Sequence, residues 1–526
     1  MDKIFETVGL EGTYQKILFI INLFTGSLPC IYSFQVPFLT KFPSFFVQKL
    51  KSDDPNKIYE LEFSKELCDS TLYKIVKNPS KSIINWTYTY DLFCEKETYV
   101  TTITSIIFIG NMLGTLFIGP WIDNYGRSKI LKISVSISLI LHLNLLFCIG
   151  PFHLVIINFI GGFFFSIYSV GYALFTEFFL KSKNGILIGI YNAIYPLSGI
   201  LFTFFFMVSY SWRLLYLITS IIHFYYVYLV FKYFLESPRW LHSVGNKEGC
   251  LETLTQLAIL NGRQEQWIDF QNKNKDIINK IGTPFLEKAE GNDANNDKLK
   301  RNYNILQILQ FKSQRTIFIK LTIISTFCSY NYYGIILNLG KMKGNFYLNS
   351  IFAFLGEFIC ELISGKLADK YGRIFIMLCS CLLGVTGYIL YMMSPFLKFL
   401  FVFIAMIGFA GIFNVLTIYM PEIYPTKIRN ITYSYTSFIS RISPIIIPIL
   451  SQNFPKLIDY SFILSGVING LLGMTLEETL GKKLLDIIPE EEEQNENLKL
   501  KFLKNKLIAI LILFYTNIIN SINELL

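Results

Sequence analysis

Twelve apolar runs dominate this chain, near residues 17–39, 99–120, 130–149, 152–175, 186–209, 214–235, 316–338, 346–368, 374–393, 397–420, 431–452 and 458–476. Each approaches the ~20 residues that cross a bilayer core as a helix. Lipid cannot satisfy backbone polar groups, so each run must close its own hydrogen bonds, and an all-α integral membrane fold follows. The twelfth run is short, squeezed between Asp459 and Glu477. With 52% hydrophobic and 16% charged residues among 526, an ordinary soluble enzyme is excluded. The net charge of +9 fits cytoplasmic loops facing acidic lipid, and implies no nucleic acid. There is no phosphate-binding Gly-Lys-Ser/Thr loop, no Ser/His/Asp set, and no metal-ligand spacing among nine cysteines and four histidines. The expectation is a protein without cofactor or metal that is not an enzyme.

Short-loop charge sets the orientation. Arg127, Lys129, Lys132, Lys181, Lys183, Lys366, Lys370, Arg373, Lys427 and Arg429 fall on one side, which places both termini in the cytoplasm. The first loop, 40–98, is then extracellular or lumenal. Asn85-Trp-Thr87 is a glycosylation sequon there, and Cys68 can pair with Cys94 in an oxidising compartment; an unmodified Asn and two free thiols remain the alternative. No cleavable signal precedes the first run, which serves as its own signal. Residues 236–314 read as a cytoplasmic linker and 482–526 as a cytoplasmic tail, with the apolar piece 507–519 too short to span.

The chain is also duplicated. Gly119-Pro-Trp-Ile-Asp-Asn-Tyr-Gly-Arg127 returns as Gly365-Lys-Leu-Ala-Asp-Lys-Tyr-Gly-Arg373, so Asp123 and Asp369 lie 246 positions apart. A similar offset carries Glu177 onto Glu422 (245) and Glu236 onto Glu477 (241). Two related halves follow, 1–235 and 315–481. Gly126 and Gly372 permit the tight turn, while the Asp and Arg place opposite charges at helix ends.

This Gly-x-x-x-Asp-x-x-Gly-Arg loop, after the second and eighth helices, resembles the major facilitator superfamily. Narrower motifs resemble its organic cation, organic anion and carnitine branch: Tyr90-Asp-Leu-Phe-Cys-Glu95, Glu236-Ser-Pro-Arg-Trp-Leu241, Tyr332-Tyr-Gly-Ile-Ile-Leu-Asn-Leu-Gly340, Gly344-Asn-Phe-Tyr-Leu-Asn349, Glu422-Ile-Tyr-Pro-Thr-Lys-Ile-Arg429 and Glu478-Thr-Leu-Gly481. The resemblance implies two pseudo-symmetric six-helix bundles moving a small organic ion by alternating access, with membrane potential or a coupled ion as driving force. It implies a monomer in the plasma membrane or an endomembrane. A sugar or polyol carrier and a transport-inactive sensor or scaffold are the alternatives. The matching gating set is Asp123, Gly126, Arg127, Glu177, Glu236, Arg239, Asp369, Gly372, Arg373, Glu422, Arg429 and Glu477, and in the family such charges join the halves in the outward-facing state.

Ionisable groups inside apolar runs are costly unless they face a partner or a cavity, which selects Glu357, Glu361 and Arg441 as substrate-binding candidates. Glu357 and Glu361 share one helix face at i, i+4. A structural ion pair between Arg441 and one glutamate is the competing reading. Tyr332 and Tyr333 join the set through the family match, as aromatic faces for a quaternary ammonium, with Tyr330 beside them. His142 and His223 read as packing histidines in apolar spans.

Overall fold

The computed structural model describes residues 2–9, 12–27, 34–50, 57–165, 184–209, 211–279, 305–309, 311–394, 396–424 and 426–482, with the single positions 171, 174, 177, 178 and 281. Lys181, Lys183, most of the linker beyond 281 and the tail from 483, including 507–519, lie outside them.

Among the described residues twelve helical spans appear in sequence order. The first half holds Thr13–Ser27, Glu97–Tyr125, Arg127–Leu146, Pro151–Phe164, Asn184–Val208 and Trp212–Tyr233. The second holds Lys312–Asn338, Phe346–Tyr371, Arg373–Met393, Lys398–Ile423, a broken span of Thr426–Ser440 and Ile442–Asn453, and Pro455–Gly473. The eleventh run was expected to be continuous. Instead it breaks at Arg441, whose N–H bonds Phe438 at 3.3 Å, with Pro444 following in the next turn. The twelfth starts earlier than expected and takes in Asp459, which accepts from Tyr388 at 2.7 Å. Among the described residues seven helices are long and apolar enough by composition to cross a bilayer. The seventh and eleventh spans, which carry Tyr332, Tyr333 and Arg441, are not among them.

Small residues let helices approach where side chains would block them. A Cβ on Gly162 would stand 2.1 Å from the Ile107 carbonyl of the second span, and one on Gly408 would stand 2.1 Å from the Gly384 nitrogen of the ninth. The halves meet along two seams, the second span against the eleventh and the fifth against the eighth. Ser105 donates to the Ile445 carbonyl at 2.8 Å, Thr101 bonds Gln452, and Tyr347 donates to the Phe206 carbonyl at 3.4 Å. Phe34–Phe354 and Phe38–Phe346 add ring contacts at 4.6 and 4.8 Å.

All of these contacts lie toward the face that carries the first loop. That loop forms an antiparallel sheet ordered β2-β1-β3, from β1 (Ser44–Lys49), β2 (Ile58–Glu62) and β3 (Tyr73–Lys77). Its small core is Phe45, Val47 and Leu67. A Cys68–Cys94 disulfide, Cα–Cα 5.4 Å, ties it to the start of the second span. Asn85 does not suit a sugar. It is fully buried, caps its helix by accepting from the Tyr88 N–H at 3.0 Å, and donates to the Phe38 and Lys41 carbonyls at 2.7 and 2.8 Å. The sequon is a structural cap in the folded chain, and the glycosylation expectation is corrected on that ground.

On the opposite face, helices Pro238–Ser243, Lys247–Leu260 and Gln264–Lys273 follow the sixth span. Asn261 fastens them to the amino end, bonding the Val8 and Gly9 carbonyls at 2.9 Å each and the Tyr14 N–H at 2.9 Å.

Candidate substrate site and gating charges

Tyr332 and Tyr333 sit side by side in the seventh span, ring centroids 4.9 Å apart and edge to face. Consecutive helical positions diverge by about 100°, so the two hydroxyls reach different neighbours. Tyr332 donates to Glu357 Oε1 at 2.6 Å, and Arg441 Nη1 donates to the Tyr333 hydroxyl at 2.8 Å. Phe413 stacks on Tyr332 at 5.5 Å, and Phe108 of the other half meets Tyr333 at 5.1 Å. Glu357 is 2% exposed, and its Oε2 makes no hydrogen bond within the protein; nor does Arg441 Nε. No ion pair joins Arg441 to either glutamate among the described residues. The structural-pair reading is therefore not what the fold presents: two tyrosines stand between opposite charges, and each charge keeps a free polar atom.

Glu361, one turn beyond Glu357, has Asn192 of the fifth span and Asn414 of the tenth as polar neighbours. Asn414 also donates to Ser364 at 3.2 Å. These two asparagines escaped sequence reading, although uncharged amides in apolar runs carry the same signal as charged groups at lower strength. Tyr330 faces elsewhere, bonding Ser461 of the twelfth span at 2.6 Å. His142 and His223 pack on each other between the third and sixth spans, ring centroids 4.8 Å apart.

The repeated loops build the same device twice. In the first half, Arg127 Nε bonds Glu177 at 3.0 Å and Nη2 lies 3.4 Å from Asp123. Glu236 accepts the N–H groups of Arg127 and Ser128 at 2.9 and 3.1 Å, holding the start of the third span. In the second, Arg373 bonds Glu422 through Nε at 3.0 Å and Nη2 at 2.9 Å, and Asp369 at 2.9 Å. The residue that accepts the Arg373 and Ile374 N–H groups, each at 3.0 Å, is Glu478.

Glu477, expected in that role, is 81% exposed and pairs with Lys482. The counterpart of Glu236 is thus one residue later, at offset 242 (478 − 236). Gly126 and Gly372 have φ of +99° and +105°, and a Cβ there would meet Glu236 Oε2 at 2.4 Å and Glu478 Oε2 at 2.8 Å. Arg239 lies over the Phe5 ring at 5.1 Å, and Arg429 donates to the Tyr424 carbonyl at 3.3 Å. Each described loop network closes within its own half.

The Major Facilitator Superfamily family model matches residues 81–347 and 321–525. Organic cation/carnitine transporter 4 of Arabidopsis thaliana is 27% identical over 421 residues, covering 77% of this chain and 76% of the relative. The beta-alanine transporter of Drosophila melanogaster is 22% identical over 561 residues, covering 95% and 90%. Among solved structures, the xylose transporter XylE of E. coli in a partially occluded inward open conformation superposes with a TM-score of 0.60 at 15% identity, over 89% of this chain and 98% of that one. With two matched helical halves, paired charge loops and a family match spanning most of its length, this chain belongs to the Major Facilitator Superfamily: it is a multi-pass membrane transporter and not an enzyme.

Proposed function

We propose that the substrate is a small organic cation or zwitterion, held between the halves at Tyr332, Tyr333, Glu357, Glu361 and Arg441. The carrying observation is the pair of unpartnered polar atoms, Glu357 Oε2 and Arg441 Nε, on either side of the tyrosines. A buried carboxylate oxygen suits an ammonium donor, and a guanidinium N–H suits a carboxylate, so a zwitterion engages both ends. The tyrosine faces add cation–π contact for a methylated ammonium. Carnitine and beta-alanine, which appear in the relatives' names, are zwitterions of this chemistry, and organic cations appear beside carnitine in one of them. XylE supports the fold alone at its identity.

In this reading the halves 1–235 and 315–481 rock about the site, with residues 236–314 and the tail on the cytoplasmic side. The disulfide-bearing loop faces the oxidising compartment.

The test is uptake of radiolabelled tetraethylammonium, carnitine, p-aminohippurate and glucose by cells expressing the chain. Glu357→Gln is expected to lower uptake of both cation and zwitterion roughly 30-fold, the value of about 2 kcal/mol for a charge-assisted bond. Arg441→Ala is expected to lower carnitine uptake comparably while sparing tetraethylammonium. Variants that lose surface abundance with unchanged substrate preference would show the charges to be structural.

A further inference from the structure

Between the halves, on the face that carries the first loop, lies a cavity of about 50 Å³. Four segments wall it: 37–42 after the first span, 100–104 of the second, 337–341 at the end of the seventh and 447–451 of the eleventh. Each half supplies two of them. The cavity therefore sits in the outer seam, which the Thr101–Gln452 and Ser105–Ile445 contacts close.

Its charge has one sign. Lys41 of the first half and Lys341 of the second line it, and among the described lining residues there is no carboxylate. A Cβ on Gly340 would stand 3.8 Å from the Lys41 Cβ, so the two lysines reach the same space from opposite halves. Lys341 Nζ donates to the Ser451 hydroxyl at 2.9 Å, and Ser451 donates on to Asn338 Oδ1 at 2.5 Å, which leaves the ammonium with donors to spare. The Lys41 ammonium lies over the Phe346 ring, 4.1 Å from its centroid. Among the described residues neither lysine joins a carboxylate in a salt bridge. Glu97, whose field reaches Lys341, pairs instead with Lys65 at 3.8 Å, and Glu62 acts on Lys41 through its field. Burial lowers both ammonium groups from the ordinary lysine value, and these acids offset it only in part. Two partly desolvated cations that face one small space repel each other, and a negative charge relieves both. Volume selects the anion: the cavity has room for a few water-sized particles, which suits chloride or nitrate and excludes an organic ion as long as carnitine or gluconate.

We propose that this cavity binds one small monovalent anion between Lys41 and Lys341, and that the bound anion staples the outer face closed. The anion is a ligand of the seam and is not carried, so the proposal stands apart from whichever substrate the central site takes. Opening the outer face moves the two lysines apart with their halves and takes the site to pieces. An anion that binds the closed form alone shifts the halves toward it.

The experiment melts the purified full chain in detergent, replacing sodium gluconate stepwise by sodium chloride or sodium nitrate at constant ionic strength. Chloride and nitrate are expected to raise the melting temperature saturably, by about 2 °C. Lys41→Gln and Lys341→Gln should each remove the rise, and Lys341→Arg, which keeps the charge, should retain it. Closure is read from a cysteine replacing Ser105, one turn further in than Thr101. Its reaction with a water-soluble thiol reagent, above the background of the chain without it, should be roughly threefold slower in chloride than in gluconate. With Lys341→Gln added, the two rates should be equal. Identical melting of the unaltered chain in chloride and gluconate overturns the site, whether or not the variants fold. A rise that survives both glutamine substitutions places the anion elsewhere and overturns it as well. A rise with unchanged labelling of the cysteine keeps the site and overturns the staple.

Discussion

Arg373 and Arg127 occupy the same position in the two halves, yet their donors fare differently. Arg373 uses both Nε and Nη2 on Glu422, a second Nη2 contact on Asp369, and Nη1 on the Ala368 carbonyl at 3.1 Å. Glu422 is further bonded by the Thr479 hydroxyl at 2.6 Å. Arg127 holds Glu177 through Nε alone, and its Nη1 and Glu177 Oε2 are buried without a hydrogen bond. The second half thus has a bidentate, saturated lock, and the first has one of matching composition that is half engaged. A buried donor and a buried acceptor left unmade in one loop are a cost that another arrangement of the halves can relieve. The expectation is that the first-half loop rearranges during transport more readily than the second-half loop.

The largest expected effect follows from that contrast. Arg373→Ala leaves two carboxylates uncompensated and should destabilise the folded protein by about 3 kcal/mol, whereas Arg127→Ala should cost about 1 kcal/mol and act chiefly on turnover. Thermal unfolding in detergent, read beside initial uptake rates, separates the two. Equal destabilisation by both variants would erase the distinction. A smaller contrast should appear at the glycines. Alanine at Gly126 or Gly372 must take a positive φ, at about 1–2 kcal/mol, and must also displace the carboxylate that holds the next helix. The closer approach, 2.4 Å at Gly126 against 2.8 Å at Gly372, makes Gly126→Ala the worse of the pair by a few tenths of a kcal/mol. A melting-temperature order with Gly372→Ala lower would contradict this.

The parts of this device that repeat are legible in the sequence. Asp123, Gly126 and Arg127 recur as Asp369, Gly372 and Arg373 because the turn geometry and its ion pair impose those residue types at fixed spacing. Glu477 was the wrong choice for the partner of Glu236 because an offset between halves tolerates one residue of slack, while a carboxylate cannot reach a helix N-terminus from the wrong side of its own loop. The resemblance around Glu478-Thr-Leu-Gly481 carried the signal that offset arithmetic missed. At the central site, Glu357, Glu361 and Arg441 stood out because charge inside an apolar run is rare. Their partners did not, since pairing Tyr332 with Glu357 and Tyr333 with Arg441 depends on which way two adjacent helical residues face. The break at Arg441 was likewise hidden: Pro444 is visible in sequence, but where a proline-bearing span opens is set by packing against the second and seventh spans.

Acid titration sharpens the comparison at its finest scale. Burial pushes the Glu478 carboxyl up, but the N–H groups of Leu480, Arg373, Ile374 and Thr479 together outweigh it and hold the group below its usual range. A carboxyl depressed in the folded state stabilises that state fully above its unfolded value, and the contribution is lost as pH falls through the folded one. The loss therefore belongs to the window below about pH 4.3, the ordinary glutamate value. Glu478→Gln cannot accept from four donors with a full charge at any pH. Its melting temperature should lie below that of the unaltered chain at pH 7, and the gap should narrow as the pH is lowered through 4 toward 3. A gap that stays constant or widens over that range would mean that Glu478 is not the charged anchor of the second loop, and the symmetry with Glu236 would have to be redrawn.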